Sequence, residues 1–387
     1  MAARTRNALR SAITASVVLA IALAAIEVCL RTMGPESSAV VAPGVELWQQ
    51  RLLVPNKVVH HELARDLTTT LHHPDGERVS SIRINAQGCR GDAIEDRPAA
   101  GVFRILMLGD DTFFGSSVSE LETVGGRLHQ FLPAGTAERI EIVNGAVPGD
   151  CPLLALLRFE QHLSELKPEL VILHVDMSDV SDDQRYRSLL QIDGDELSCA
   201  HPSFQMPTPS QSRLRQFVAA SATADWFLTN VRHQSGLTSA GTAPHDSIMQ
   251  PFAWIADDAP DLRLAIRHAL EPIITLNSAA SAIGAKLLIT TCPVRWQVVE
   301  TDSQSTISRA CNVSGATPFE SQLPFEVLAN LCSEQSLKFM DTTPAFRNAK
   351  QPARLFDDSA PTLSKLGMAL YGRELATFLT ENPPSRW

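Results

Sequence analysis

The sequence contains no run of Lys or Arg longer than a pair, and its acidic residues outnumber the basic ones by 43 to 33. The formal net charge is −10 and the pI is about 5.6. Such a chain lacks the basic face that neutralises nucleic-acid phosphates, so we expect no nucleic-acid partner. A hydrophobic fraction of 44% in 387 residues is that of a globular protein, which excludes disorder of the whole chain.

Cysteine is also scarce. No Cys-x-x-Cys pair and no Cys/His spacing typical of zinc ligands occurs, so we expect no structural zinc site. One of the seven cysteines, Cys29, lies in an apolar N-terminal segment. The other six permit up to three disulfides in an oxidising compartment, with the connectivity left open. They are Cys89, Cys151, Cys199, Cys292, Cys311 and Cys332.

Charge is absent from the segment Ser11 to Ile26, which follows three Arg residues and no acid. Extended to position 30, this segment approaches the roughly 20 residues that a tilted membrane span requires. The Arg residues place the N-terminus in the cytoplasm. We therefore expect a cytoplasmic stub over residues 1–10 and a transmembrane signal-anchor over 11–30. A signal peptide cleaved near its small alanines is the alternative, and in either case the main part of the chain is exported.

Beyond residue 103, short apolar runs alternate with helical patterns. Runs such as ELVILHV are apolar throughout, as in parallel strands that are buried on both faces. The alternation predicts an α/β fold with a parallel sheet between two helical layers. The predicted strands are residues 104–109, 139–145, 169–175, 285–291 and 337–343. The predicted helices are residues 122–132, 151–166, 261–284, 323–335 and 364–379.

Two regions depart from this alternation. Residues 31–95 are polar and contain several prolines, so we expect a stalk or N-terminal extension, with its His pairs on the surface and without a role. The main domain is predicted over residues 96–382, with an insertion over 190–259 that contains one predicted helix at 212–233. An insertion after the third strand lies near the carboxyl ends of the strands, where ligands bind in open α/β sheets. A cap over the site and a long surface loop both remain open.

Four sequence blocks follow one another along the chain: LGDDTFFGSSVSELET (108–123), IVNGAVPG (142–149), LVILHVDMSDV (170–180) and APTLSKLGMALYGRELATFL (360–379). Together they resemble the SGNH or GDSL family of hydrolases over roughly residues 80–382. The apolar N-terminal segment, which ends in Glu27 and Leu30-Arg31, resembles that of its bacterial membrane-anchored members. The resemblance implies a flavodoxin-like three-layer α/β/α sandwich with a mainly parallel five-stranded sheet.

The same resemblance implies where an active site would lie, and there the chain departs from the family. Asp111 stands at the position of the Ser nucleophile. Ala146 replaces the Gly of the oxyanion hole, and Ser178 replaces its Asn. Ala360 and Thr362 stand at the positions of the Asp and His of the last block, and residues 338–387 contain no His. Because nucleophile, base, orienting acid and two oxyanion positions change together, we predict a catalytically inactive relative.

Five aspartates follow the first three predicted strands, namely Asp110, Asp111, Asp150, Asp176 and Asp179. Asp110 and Asp179 match structural positions of the family and are expected to accept hydrogen bonds from loop N–H groups. The other three offer oxygen ligands to Ca²⁺ or Mg²⁺, or a counter-charge to an amine. We favour carboxylates that face water, and we assign no metal and no cofactor.

These observations predict a single-pass protein of the inner membrane, with its main domain in the periplasm or outside the cell. Its partners would be the membrane and a glycan or an envelope protein, in cell-envelope or exopolysaccharide processes; that role follows from the resemblance alone. The alternative is an active esterase or acyl hydrolase, or an O-acetyl transferase or deacetylase, acting on envelope glycans through rerouted residues. His174 would then be the base nearest to Asp111 in sequence, although a His within a strand more often has a structural role.

Overall fold

The computed structural model describes residues 51–72, 79–193, 196–204, 260–299, 322–357 and 362–387. The expected anchor at 11–30, the helix predicted at 212–233, and Cys29, Cys311 and Ala360 lie outside these residues. The strands are β1 (Leu53–Pro55), β2 (His61–Leu63), β3 (Leu67–His72), β4 (Val79–Ile84), β5 (Phe103–Leu108), β6 (Ile140–Asn144), β7 (Leu170–His174), β8 (Leu190–Asp193), β9 (Glu196–Cys199), β10 (Lys286–Thr291) and β11 (Lys338–Asp341). The helices are α1 (Asp111–Phe114), α2 (Val124–Phe131), α3 (Ala134–Ala137), α4 (Pro152–Gln161), α5 (Asp179–Arg187), α6 (Pro260–Leu270), α7 (Pro272–Ala282), α8 (Leu323–Glu334), α9 (Thr343–Arg347) and α10 (Lys365–Glu381).

Five strands form one sheet in the order β11-β10-β7-β5-β6. All four of its pairings are parallel. Each of these strands lies within one or two residues of the bounds that the apolar runs predict. The predicted five-stranded parallel sheet is therefore confirmed.

Alternate residues of the central strand β5 serve opposite faces of the sheet. Leu106 and Leu108 belong to a core that includes residues of α4, α6, α7 and α8. Ile105 and Met107 belong to a second core with residues of α2 and α10. All four side chains are buried. Since strand side chains alternate between faces, a strand covered on both sides buries apolar side chains on both of its faces, which explains the continuous apolar run from Ile105 to Leu108.

The predicted helix at 261–284 is two helices in the structure, α6 and α7, separated at Glu271. Pro272 is the first residue of α7. A proline has no N–H to donate and its ring clashes with the carbonyl four residues earlier. It therefore ends α6 and fits the first position of the next helix.

The stalk interpretation does not hold for residues 51–72 and 79–95. In this segment β1 pairs with β2, and β3 pairs with β4, both antiparallel. Leu52, Leu63, Ile82 and Ile84 are at most 1% exposed and belong to the same core as α2 and α10. The apolar residues of β4 alternate with polar ones, so one face of this hairpin packs against the domain.

The insertion begins with the antiparallel hairpin of β8 and β9. The backbone of Cys199, at the end of β9, forms an isolated β-bridge with that of Val59, which links the hairpin to the N-terminal segment. The expectation of surface histidines is wrong for His61, which is 2% exposed. Its Nε2 lies 3.0 Å from the carbonyl oxygen of Pro148.

Within the described residues, no helix is long and apolar enough to cross a membrane. The five described candidate cysteines, Cys89, Cys151, Cys199, Cys292 and Cys332, are buried free thiols. The disulfides that the sequence permits do not form among these five.

Candidate functional site at the carboxyl end of the sheet

Gly109 brings the end of β5 close to the end of β7. Its φ is +142°, and a Cβ at this position would lie 3.0 Å from the Cβ of His174 and 3.1 Å from its carbonyl oxygen. Only glycine accommodates both the backbone conformation and the contact. Asp110 follows and caps α1, with its Oδ1 accepting a hydrogen bond from the Thr112 N–H at 3.1 Å. The structural role predicted for Asp110 is therefore confirmed.

Asp111, at the nucleophile position, is the first residue of α1. Its Oδ1 is buried and has no hydrogen-bond partner. Burial raises the pKa of this carboxyl, and hydrogen bonding by Ser116 together with the charge of Arg90 offsets part of the rise. A carboxyl group in this position is a weaker nucleophile than a serine alkoxide, and burial favours its neutral form, which is weaker still.

The oxyanion-hole positions are hydrogen-bonded within the protein. The Ala146 N–H donates to Asn144 Oδ1 at 3.2 Å, and the amide of Asn144 donates to the carbonyl of Phe113 at 2.8 Å. The Ser178 hydroxyl donates to Asp176 Oδ1 at 2.8 Å. The hydroxyl that replaces the family's amide is thus directed to a neighbouring carboxylate.

His174 ends β7 inside the core, so its predicted structural placement is confirmed. Its ring is 1% exposed and stacks on Phe113 with ring centroids 5.0 Å apart. Nδ1 lies 2.8 Å from the hydroxyl of Tyr371, which in turn lies 3.0 Å from the Thr290 hydroxyl. Nε2 lies 3.8 Å from Asp176 Oδ2 and has no hydrogen-bond partner.

Asp176 lies at the centre of the polar groups of this site. Its Oδ1 also accepts a hydrogen bond from the Ser178 N–H at 2.8 Å, and its Oδ2 accepts one from the Thr112 hydroxyl at 3.3 Å. Burial opposes its charged form, but His174 and the hydrogen bonds from Ser178 outweigh burial and lower its pKa. Asp110, His174 and Asp176 each offer one possible ligand atom, and these atoms lie within 4.8 Å of one another.

The carboxyls around Asp176 are crowded. Asp179 Oδ2 accepts a hydrogen bond from the Asp176 N–H at 2.8 Å, which confirms its predicted structural role. Burial raises the pKa of Asp110 well above the usual value, and the charges of Asp176 and Asp111 raise it further. Burial and the charges of Asp110 and Asp176 also raise the pKa of Asp179 well above its usual value. Asp110 and Asp179 are 8% and 2% exposed, in agreement with the structural roles predicted for them.

Asp150 does not belong to this group. It is 1% exposed, and Arg158 binds both of its oxygens, at 2.7 and 3.1 Å. Arg158 also donates to the carbonyl oxygen of His61 at 3.0 Å. The expectation that Asp150 faces water is therefore wrong, because this carboxylate forms a buried ion pair with Arg158. The hydrogen bond from Arg158 to His61 joins α4 to the N-terminal segment.

No imidazole occupies the position of the last catalytic block among the described residues. The Thr362 carbonyl accepts a hydrogen bond from the Asp357 N–H at 2.9 Å. Tyr371, which the sequence blocks do not mark as a site residue, reaches His174 from α10. The sequence could have indicated Tyr371, because it lies four residues from both Gly367 and Leu375 and therefore on the same buried face of α10. A hydroxyl on such a face needs a hydrogen-bond partner.

No family model and no curated protein sequence matches the chain. Solved structures do. A lipase/acylhydrolase from Enterococcus faecalis matches with a TM-score of 0.38 and 12% identity, over 72% of this chain and 96% of the other. A GDSL-like lipase from Bacteroides thetaiotaomicron matches with a TM-score of 0.39 and 10% identity, over 73% of this chain and 91% of the other. An acetylxylan esterase from Geobacillus stearothermophilus matches with a TM-score of 0.38 and 14% identity, over 73% of this chain and 94% of the other.

One of these three structures, the GDSL-like lipase, carries the name of the family that the sequence blocks resemble. The five-stranded parallel sheet, with the Gly-Asp turn after β5, agrees with the α/β arrangement that the sequence blocks predict.

Proposed function

We propose that this chain is an SGNH-hydrolase-like protein without hydrolytic activity, with a binding or scaffold role. The observation that carries the proposal is Asp111 at the nucleophile position. Ester hydrolysis by this type of site needs a hydroxyl nucleophile, a base within reach and free donors for the oxyanion. Asp111 is a carboxylate, and the Ala146 N–H and the Ser178 hydroxyl donate to groups of the protein.

His174 does not supply the absent base in a simple way. Its ring is buried beneath Phe113, and its Nδ1 lies within hydrogen-bond distance of Tyr371. A general base must reach the proton that it abstracts, directly or through one water. These contacts favour the inactive protein over an esterase with rerouted residues.

The proposal includes the location of the protein. A single N-terminal span would anchor it in the inner membrane, with the α/β domain in the periplasm or outside the cell, where a glycan or an envelope protein is the partner. The support is the uncharged segment from Ser11 to Ile26 with three Arg residues before it. A reporter enzyme active only after export, fused after residue 387, tests the orientation. Activity of the fusion in the membrane fraction is expected, and its activity in the cytoplasmic fraction would contradict the anchor.

Hydrolysis is tested on the purified full chain with 4-nitrophenyl acetate and with acetylated xylo-oligosaccharides. We expect turnover equal to the buffer rate for the wild type and for Asp111→Ala. A matched control is Asp193→Ala, which removes an exposed aspartate of β8 remote in sequence from the site motifs. Turnover that is lost in Asp111→Ala and kept in Asp193→Ala would refute the proposal.

A further inference from the structure

We propose that Asp110, His174 and Asp176 form a binding site for one divalent metal ion of the Zn²⁺ or Mn²⁺ type, at the carboxyl ends of β5 and β7. The site offers one imidazole nitrogen and two carboxylate oxygens. Mixed donors of this kind suit such ions, whereas Ca²⁺ and Mg²⁺ prefer sites made of oxygen alone. The inference concerns a bound ion and does not depend on the proposed loss of hydrolysis.

The group that points to a ligand is His174 Nε2. It is buried, it has no hydrogen-bond partner, and Asp176 Oδ2 is 3.8 Å away, which is beyond hydrogen-bond distance. In a tetrahedral site with bonds of about 2.1 Å, two ligand atoms lie about 3.4 Å apart. Closing the gap between Nε2 and Oδ2 by about 0.4 Å would therefore place both atoms on one ion.

The surroundings hold the three side chains in the orientation that an ion needs. Nδ1 of His174 lies 2.8 Å from the Tyr371 hydroxyl, and a hydrogen bond at the second ring nitrogen is the usual support of a metal-bound His. Thr112 donates its N–H to Asp110 and its hydroxyl to Asp176 Oδ2. Ser178 binds the other oxygen of Asp176. A single turn, α1, thus orients both carboxylates.

The charge of the site also calls for a cation. Among the described residues, neither Asp110 nor Asp176 has a Lys or Arg within ion-pair distance, and the basic side chain beside Asp176 is His174, the third proposed ligand. Like charges in a buried site repel strongly because water does not screen them. The Asp176 side chain is 16% exposed, so an ion can enter from solvent on its side.

The test is calorimetric titration of the purified full chain, in mild detergent, after removal of metal with EDTA and dialysis. Zn²⁺, Mn²⁺, Mg²⁺ and Ca²⁺ are each titrated alone. We expect one Zn²⁺ or Mn²⁺ per chain, bound at least tenfold more tightly than Mg²⁺ or Ca²⁺. With Co²⁺ as a spectroscopic probe, the visible absorption should show a site with nitrogen and oxygen ligands.

Asp176→Asn and His174→Gln should each weaken binding about 100-fold or more, since even a supporting residue of a metal site contributes 10- to 100-fold. Asp182→Asn is the matched control, because Asp182 is a nearby acid outside the three ligands. The affinity of this variant for the metal ion should stay at the wild-type value. If His174→Gln does not fold, as judged by circular dichroism, then Asp110→Asn and Asp176→Asn decide the result.

Absence of stoichiometric binding of all four ions would overturn the metal site, as would binding that survives in Asp110→Asn and Asp176→Asn. Neither result bears on hydrolysis. Conversely, esterase turnover would refute the proposed function and leave the ion-binding measurement to stand by itself.

Discussion

Asp150 and Asp110 are both buried aspartates that follow strands of the same sheet, and they differ in what faces them. Asp150 receives two hydrogen bonds from Arg158, and His61 Nε2 lies 3.8 Å from its Oδ1. Asp110 faces Asp176 and Asp111 instead. A buried charge is tolerated when it is paired. The paired acid therefore supports the fold, whereas the unpaired acids mark a place where a ligand would stabilise the protein.

The largest effect is expected from breaking the paired site. Arg158→Met keeps much of the side-chain volume but leaves Asp150 buried without its counter-charge, so the free energy of unfolding should fall by about 3–5 kcal/mol. Urea denaturation at pH 7 measures it. The double variant with Asp150→Leu removes both charges and should lose less than the single variant. A double variant that is less stable than Arg158→Met would show that the ion pair is not the source of the loss.

A smaller effect of the opposite sign is expected at the unpaired site. Asp110→Asn keeps the cap of α1, because Asn caps helices as well as Asp, and it removes the free-energy cost of holding a buried acid beside Asp176. In the presence of EDTA we expect the free energy of unfolding to rise by about 1 kcal/mol. Added Zn²⁺ should raise the unfolding temperature of the wild type more than that of Asp110→Asn. A loss of several kcal/mol in EDTA would mean that the charge of Asp110 is already balanced.

The sequence predicts where both acids lie in the fold but not which of them has a basic partner. The apolar runs predict all five strands of the sheet because burial on both faces leaves a continuous pattern. The motif blocks place Asp110, Asp111, Asp176 and Asp179 correctly at the strand ends. The sequence does not show which of these acids has a basic partner. Nothing distinguishes Arg158 from the other basic residues, and only the fold brings its side chain, on α4, into contact with Asp150. The folded N-terminal hairpins escape prediction because their strands are short and largely polar.

A third, smaller effect concerns pH, because the paired site includes a His cluster. His60 lies with its Nδ1 2.9 Å from Nδ1 of His61 and its ring 4.7 and 4.8 Å from those of His201 and Tyr186. Burial, together with the charges of His201 and Arg185, lowers the pKa of His60 to about 4. The unfolded chain then binds a proton more readily than the folded one. Stability should therefore fall as the pH drops from about 6.5 to about 4.

The variant that isolates this effect is His60→Asn. His60 has a φ of +60°, a conformation that Asn adopts more readily than most residues. Thermal unfolding between pH 8 and pH 4 should show a shallower decline for His60→Asn than for the wild type. Identical pH profiles for the two proteins would indicate that His60 titrates normally in the folded state.

The smallest effect sets the lower limit of the comparison. Arg267 and Glu334 form an ion pair at 3.4 Å between α6 and α8, with side chains 63% and 54% exposed. In water such a pair gains little, because solvent screens the attraction and two long side chains lose freedom. Arg267→Ala should change the free energy of unfolding by about 0.5 kcal/mol or less. If its urea midpoint shifts as far as that of Arg158→Met, burial is not what separates the two pairs, and the distinction between Asp150 and Asp110 would need another cause.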